Sequence, residues 1–148
     1  MVFRAGTIRL GDVICYEAGF DSLVRSEVTA GANLLAVQSN DATFEVDGQT
    51  GETGQQLAMA RIRVVESDRS VVYAATTGIS AIIAPDGSVL AHSRTWQRAV
   101  LEARVPVRTQ ITLADRAGQW PETVNTALTI AALAAATARA PRSRTALL

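Results

Sequence analysis

No lysine occurs in this chain: all fourteen basic residues are arginine. Cysteine is almost as scarce. Cys15 stands alone, which excludes an internal disulfide and leaves its thiol free, metal-bound or intermolecular. A lone cysteine offers no metal-site spacing, and the one histidine, His92, lies far from it, so a zinc site is not expected. An excess of either charge is also missing. Fourteen acidic residues balance the fourteen arginines, so bulk charge gives no reason to expect nucleic acid as a partner. The opening Met1-Val2-Phe3-Arg4-Ala5-Gly6 lacks the long apolar core of a signal peptide.

What is present is the composition of a globular protein. Of 148 residues, 48% are apolar and 19% charged, enough to bury a core within one domain. Thr7 to Cys15 reads as a strand that ends abruptly in Cys15-Tyr16-Glu17, a thiol beside a carboxylate. Asp21 to Ala30 reads as a helix, with Asp21 or Ser22 as its cap, Leu23, Val24 and Val28 as its apolar stripe, and Gly31 as its stop. The apolar run Asn33 to Gln38 reads as a strand covered on both faces, and Ser39-Asn40-Asp41 ends it in turn-prone residues.

Glu45 to Gly54 reads as an exposed loop, and Phe44 to Thr53 as either a lid or an idle insertion. Gln55 to Asp68 is the strongest helix pattern. Val71 to Thr76 and Ser80 to Ala84 read as strands, Pro85-Asp86-Gly87-Ser88 as a hairpin turn, and Val89 to His92 as the returning strand. Arg98 to Val107 alternates as one further strand should. This order predicts an α/β fold with mixed sheets, and no second-domain boundary stands out before about Arg116.

From Trp120-Pro121-Glu122 the chain changes character. Val124 to Ala138 carries no charge and much alanine, and Arg139, Arg142 and Arg144 follow. Two readings stay open for residues 122–138: an Ala-rich surface or interface helix, or a membrane span with arginines on its cytoplasmic side.

Several residues invite a chemical role. Cys15 becomes a nucleophile only where its thiolate is favoured, and Glu17 could move a proton or orient a neighbour, although its charge alone opposes a thiolate. Free cysteines are often simply buried small apolar residues. Asn40 and Asp41 could line a site at a strand end or simply build a turn. Glu66 is expected to pair with Arg63 or Arg69, and His92 to sit on the surface.

Four ordered segments, across roughly Gly11 to Pro106, carry a resemblance. Val13-Ile14-Cys15-Tyr16-Glu17 resembles the nucleophile segment of the carbon–nitrogen hydrolase (nitrilase) superfamily. Leu34-Leu35 with Ser39-Asn40-Asp41-Ala42 and Phe44 is similar to the next strand and loop in its apolipoprotein N-acyltransferase branch. Gln56 to Arg63 with Glu66, then Thr76 to Ile83 with Pro85-Asp86-Gly87, resemble the following helix, strands and hairpin. The resemblance implies the C-terminal portion of a nitrilase-like α-β-β-α sandwich over residues 1–116, followed by an Ala-rich helix and Arg-containing tail over 117–148.

It also implies chemistry. Members use a Glu–Lys–Cys set, in which cysteine attacks the acyl donor, glutamate moves protons and lysine stabilises the oxyanion. Cys15 matches the nucleophile, and Tyr16 and Glu17 match its functionally important neighbours, with Asn40 and Asp41 as supporting residues. The general-base glutamate and the lysine lie upstream in the family. The fourteen residues before Cys15 contain neither, so the start of this sequence is expected to be truncated or assigned late.

By resemblance, no cofactor or metal is implied, the partners are a phospholipid acyl donor and the N-terminus of a lipoprotein, and the place is the extracytoplasmic side of a cell membrane. Two other readings stand beside this one. The chain could be a soluble amidase with water as acceptor, or a silent fragment that complements a separate N-terminal half.

Overall fold

A computed structural model of the chain describes residues 1–43 and 51–139. Residues 44–50 of the expected loop or lid, and Arg142 and Arg144, lie outside the described residues. The chain divides into two units, Met1–Gly118 and Gln119–Leu148.

The first unit is built on one six-stranded sheet whose spatial order follows the sequence: β1 (Val2–Ala5), β2 (Ile8–Ile14), β3 (Leu34–Ser39), β4 (Val71–Ala75), β5 (Ala81–Ile83) and β6 (Val89–His92). The pairs β2–β3 and β3–β4 are parallel, whereas β1–β2, β4–β5 and β5–β6 are antiparallel. Parallel neighbours need crossovers. These are α1 (Asp21–Thr29) between β2 and β3, and α2 (Gly51–Ser67) between β3 and β4.

The strand period decides which side chains meet the helices. Val13 of β2, Leu35 and Val37 of β3, and Val71 and Tyr73 of β4 are buried with Val24 and Val28 of α1 and Ala60 and Val64 of α2. Val24 and Val28, like Ala60 and Val64, are four apart and therefore share one face of their helix. The opposite sheet face is more open. Ala36 is partly covered, while Gln38, Val72 and Ala74 are exposed. The result is an α/β layer of the kind expected for part of a nitrilase-like sandwich.

The hairpin between β5 and β6 forms as its sequence predicts. Gly87 adopts φ +83°, and Asp86 Oδ1 accepts bonds from Ser88 N at 2.9 Å and Ser88 Oγ at 2.6 Å. Those bonds hold the Asp86 carboxyl below the usual carboxylate range.

Several local expectations need correction. Helix α2 begins at Gly51, so its first turn includes the end of the expected Glu45–Gly54 loop. Neither Asp21 nor Ser22 caps α1. Phe20 occupies the N-cap, and its side chain cannot accept a hydrogen bond. Strand β1 has no counterpart in the sequence pattern, and Arg98–Val107 is not a strand. The following coil is fastened by side chains instead of a ladder: Ser70 Oγ donates to Pro106 O at 2.9 Å, and Thr112 Oγ1 to Glu66 O at 2.8 Å. Buried Arg69 donates to Ala32 O at 2.9 Å and Gln110 O at 2.9 Å. The short helix α3 (Leu113–Ala117) ends this unit's regular structure, capped by Thr112, whose Oγ1 accepts from Asp115 N at 3.0 Å.

The second unit holds α4 (Trp120–Arg139), 20 residues long. Among the described residues no helix is long and apolar enough to cross a membrane. Residues 122–138 lie within this Ala-rich helix. Its alanines contribute little hydropathy, and Thr123, Asn125, Thr126, Thr129 and Thr137 lower it further.

Candidate active site

Strand β2 ends at Ile14, and the chain turns at once into a 3₁₀ turn, Cys15–Gly19. Cys15 makes that change of direction with φ +52°, a left-handed conformation that non-glycine residues adopt at a cost. The surrounding structure must hold it there. Glu17 does part of this: its Oε2 accepts the Ile14 N–H at 2.8 Å, closing the turn around the thiol. The turn therefore removes Glu17 from the extended arrangement in which it would share a strand face with Cys15. Tyr16 projects outward, 56% exposed, with its ring edge-to-face on Phe20 at 5.9 Å.

The floor of the turn is tied to α2. Arg63 donates to Ala18 O at 3.1 Å and Gly19 O at 3.2 Å, and pairs with Glu66 and, at 3.6 Å, with Asp21. Glu66 thus has the ion-pair role expected for it. His92 is exposed on β6, with Nδ1 3.0 Å from Ser93 O.

Beneath Cys15 the end of β3 supplies a polar cluster. Ser39 Oγ lies 3.4 Å from Cys15 Sγ, 2.8 Å from Gln56 Oε1, and in hydrogen-bond contact with Asp41 Oδ1. Asp41 is fully buried at the start of a second 3₁₀ turn, Asp41–Thr43, and its Oδ2 accepts from Thr53 Oγ1 of α2 at 3.4 Å. Tyr73 of β4 donates to the same Gln56 oxygen at 3.0 Å. Burial, with the neighbouring Asp41 and Cys15 charges, pushes the Tyr73 phenol up to about 12, against the opposing effect of its hydrogen bond with Ser39.

Of the five residues singled out by sequence, the structure brings Cys15 and Asp41 together through Ser39. Tyr16 and Glu17 belong to the same turn. Asn40 is exposed and serves a different bond, its Oδ1 accepting from Thr76 Oγ1 at 2.8 Å and Ala42 N at 3.3 Å. Sequence reasoning missed Ser39, Thr53, Gln56 and Tyr73 as members of the cluster. A signal was available in α2: Thr53 and Gln56 are polar residues on the inward face that continues through Ala60 and Val64. Among the described residues no three His, Cys, Asp or Glu side chains gather as a metal-binding group.

A strand delivering a cysteine into a left-handed turn, over a layer of α/β packing, defines a class. The carbon-nitrogen hydrolase profile matches residues 1–115, and the chain belongs to that family. Its relatives include the apolipoprotein N-acyltransferase of Mycolicibacterium smegmatis, 41% identical over 133 residues that make up 90% of this chain and 21% of the relative. The apolipoprotein N-acyltransferase of Shewanella oneidensis is 32% identical over 76% of this chain and 21% of its own length. The chain thus spans about a fifth of the length of these curated relatives. Among solved structures, a nitrilase-superfamily amidase from Nesterenkonia AN1 superposes with TM-score 0.53 at 21% identity, over 64% of this chain and 37% of the amidase. That likeness supports the fold and carries no substrate with it.

Proposed function

We propose that the chain is the nucleophile-bearing part of an apolipoprotein N-acyltransferase. Residues 1–116 form the part of the carbon–nitrogen hydrolase domain that carries Cys15, and residues 117–148 follow as a helix and Arg-containing tail. Cys15 attacks the ester carbonyl of a phospholipid, the glyceryl oxygen leaves, and the acyl chain is held as a thioester. The α-amino group of a lipoprotein's N-terminal cysteine then attacks that thioester and releases the thiolate. Tyr16, Glu17, Asn40 and Asp41 support the site, Glu17 by holding the turn. The work takes place at the extracytoplasmic face of a membrane.

The 41% identity to the M. smegmatis acyltransferase across 90% of this chain is the observation that carries the reading. The left-handed turn supports it, since it presents a thiol at a strand end. This sequence contains no lysine, and the fourteen residues before Cys15 contain no glutamate, so it does not itself supply the family's oxyanion-stabilising lysine or upstream general-base glutamate. Losing one oxyanion donor commonly costs about 10²–10³-fold in turnover, and members of a catalytic set act non-additively.

The test mixes the chain with phospholipid in detergent and a lipopeptide bearing a free N-terminal cysteine amine. It is run with and without the upstream portion of the M. smegmatis relative. N-acylated peptide in either case, lost in Cys15→Ala, supports the reading. Hydrolysis of small amides with no peptide acylation favours the soluble amidase instead.

A further inference from the structure

The turn that carries Cys15 depends on more than its own backbone. Cys15 sits at φ +52°, in a region that non-glycine residues occupy only where the surroundings impose it. It opens the 3₁₀ turn Cys15–Gly19, and the hydrogen bonds of such turns are poorer than those of an α-helix. Glu17 closes the front of the turn through the Ile14 N–H. The back of the turn ends at the carbonyls of Ala18 and Gly19, and both accept from one side chain, Arg63 of α2.

That contact is bidentate. Nε donates to Ala18 O at 3.1 Å and Nη2 to Gly19 O at 3.2 Å, so one edge of the planar guanidinium spans two successive carbonyls. The remaining amino group, Nη1, pairs with Glu66 one turn further along α2 and lies 3.6 Å from Asp21 Oδ1 at the start of α1. Asp21 is held in turn by Arg25, at 3.4 Å. Ala60 and Val64, which flank Arg63 along α2, are fully buried, so the helix that presents the guanidinium is itself fixed against the sheet. One side chain therefore ties together the Cys15 turn, the first residue of α1, and α2.

We infer that Arg63 is a positioning residue for Cys15, locking the turn onto α2 so that the thiol stays at the end of β2. The inference rests on reading Cys15 as the nucleophile. Arg63 acts on the sulfur through the Ala18 and Gly19 carbonyls. The planar fork matters here as well as the charge. A lysine at position 63 keeps the cation but offers a compact ammonium, which does not reproduce two parallel bonds to two carbonyls. A reacting group displaced by about 1 Å commonly loses about 10²-fold in rate, even when the substitution lies away from the chemistry.

Arg69 provides the comparison within the same chain. It also binds backbone carbonyls, those of Ala32, Ser67, Asp68 and Gln110, and none of these belongs to the Cys15 turn. Lysine variants at 63 and 69 therefore separate a loss of positioning from a loss of stability.

The experiment is acyl transfer from p-nitrophenyl octanoate to the 148-residue chain. Cys15 Sγ attacks the ester carbonyl, the bond to the p-nitrophenyl oxygen breaks, and p-nitrophenolate leaves and is read by its absorbance. The octanoyl thioester is read by intact mass, with Cys15→Ala in parallel. Cys15 is the one cysteine, so a thioester reports it alone. The maximal rate and the half-saturating ester concentration are measured for the unaltered chain, Arg63→Lys, Glu66→Gln and Arg69→Lys. Each is assayed at a temperature at which its thermal melt shows it folded.

Arg63→Lys lowers the maximal rate by about tenfold or more and leaves the half-saturating concentration unchanged, the split expected when orientation is lost and binding is kept. Glu66→Gln, which leaves both carbonyl bonds in place, stays within about threefold of the unaltered rate, and Arg69→Lys lowers the melting midpoint with a rate in the same range. An Arg63→Lys rate equal to that of the unaltered chain, or a change confined to the half-saturating concentration, overturns the positioning role. A loss in Glu66→Gln as large as that in Arg63→Lys overturns it in favour of the ion pair. Rate losses at 63 and 69 that both follow the melts, or an Arg63→Lys chain without a cooperative melt, overturn it in favour of a structural role. All of these outcomes leave Cys15 a nucleophile. An unaltered, folded chain that gains no octanoyl thioester overturns the nucleophile reading, and the role of Arg63 with it.

Discussion

Gly78 approaches the Asp41 carboxylate so closely that a Cβ at position 78 would overlap Asp41 Oδ2. The same Cβ would meet Asp41 Cγ and Thr53 Cγ2 at 2.9 Å each. The Thr77-Gly78 turn after β4 therefore closes over the buried end of the cluster, and the absence of a side chain is what permits it. Gly78→Ala must push either the turn or the carboxylate. Overpacking of this kind costs about 1–3 kcal/mol, and here the displacement falls on the residue that holds Ser39. The expected outcome is a lower midpoint in thermal unfolding together with slower alkylation of Cys15. An unchanged melt and an unchanged alkylation rate would show that the turn moves aside freely.

Arg69 is a structural clamp away from the thiol. It is 1% exposed, and its guanidinium donates to carbonyls of Ala32, Ser67, Asp68 and Gln110. Burial lowers its pKa from the ordinary arginine value, with the nearby Asp115 and Asp68 carboxylates opposing that shift. Arg69→Met removes the cation and leaves buried carbonyls and Asp115 without it. A buried polar group left without its partner costs about 1–3 kcal/mol. Chemical denaturation should register that loss. Hydrogen exchange should also show faster exchange at residues 106–112, whose attachment to the sheet depends on Arg69 and Ser70.

Tyr73 supplies a pH-dependent prediction. Its folded-state pKa of about 12 lies above the ordinary tyrosine value of about 10. The neutral phenol is therefore favoured by folding. Its contribution to stability is fully present below about pH 10 and is lost as pH rises toward 12. Phenolate absorbance in a Tyr16→Phe background should place the remaining tyrosine near pH 12, and unfolding at high pH should depend less steeply on pH in Tyr73→Phe. A titration midpoint at the ordinary value would contradict the burial of this phenol.

Much of the fold was legible because its signals are periodic and local. The apolar run ending at Cys15, the apolar pattern of α2 and the Pro85-Asp86-Gly87-Ser88 turn each specify structure within a few residues. Arg98–Val107 misled because alternation reports a strand only when a neighbouring edge accepts it. Here Ser70 and Arg69 bind the carbonyls of Pro106 and Gln110 instead. Cys15 was singled out through its motif. Its support was not, because Ser39, Gln56 and Tyr73 come from β3, α2 and β4 and converge only when parallel pairing aligns Val37 with Tyr73 and Ser39 with Ala75. Glu17 shows the same limit. A two-residue spacing suggests a shared strand face, but the left-handed turn at Cys15 converts Glu17 into the residue that closes the turn.

The central claim is that Cys15 accepts an acyl chain. Its most direct test is intact-mass analysis of the purified chain after incubation with phospholipid in detergent, with Cys15→Ala treated in parallel. The account predicts an added acyl mass that hydroxylamine removes and that the variant never acquires. A folded chain that gains no adduct, even when the upstream portion of the M. smegmatis relative is supplied, would contradict it.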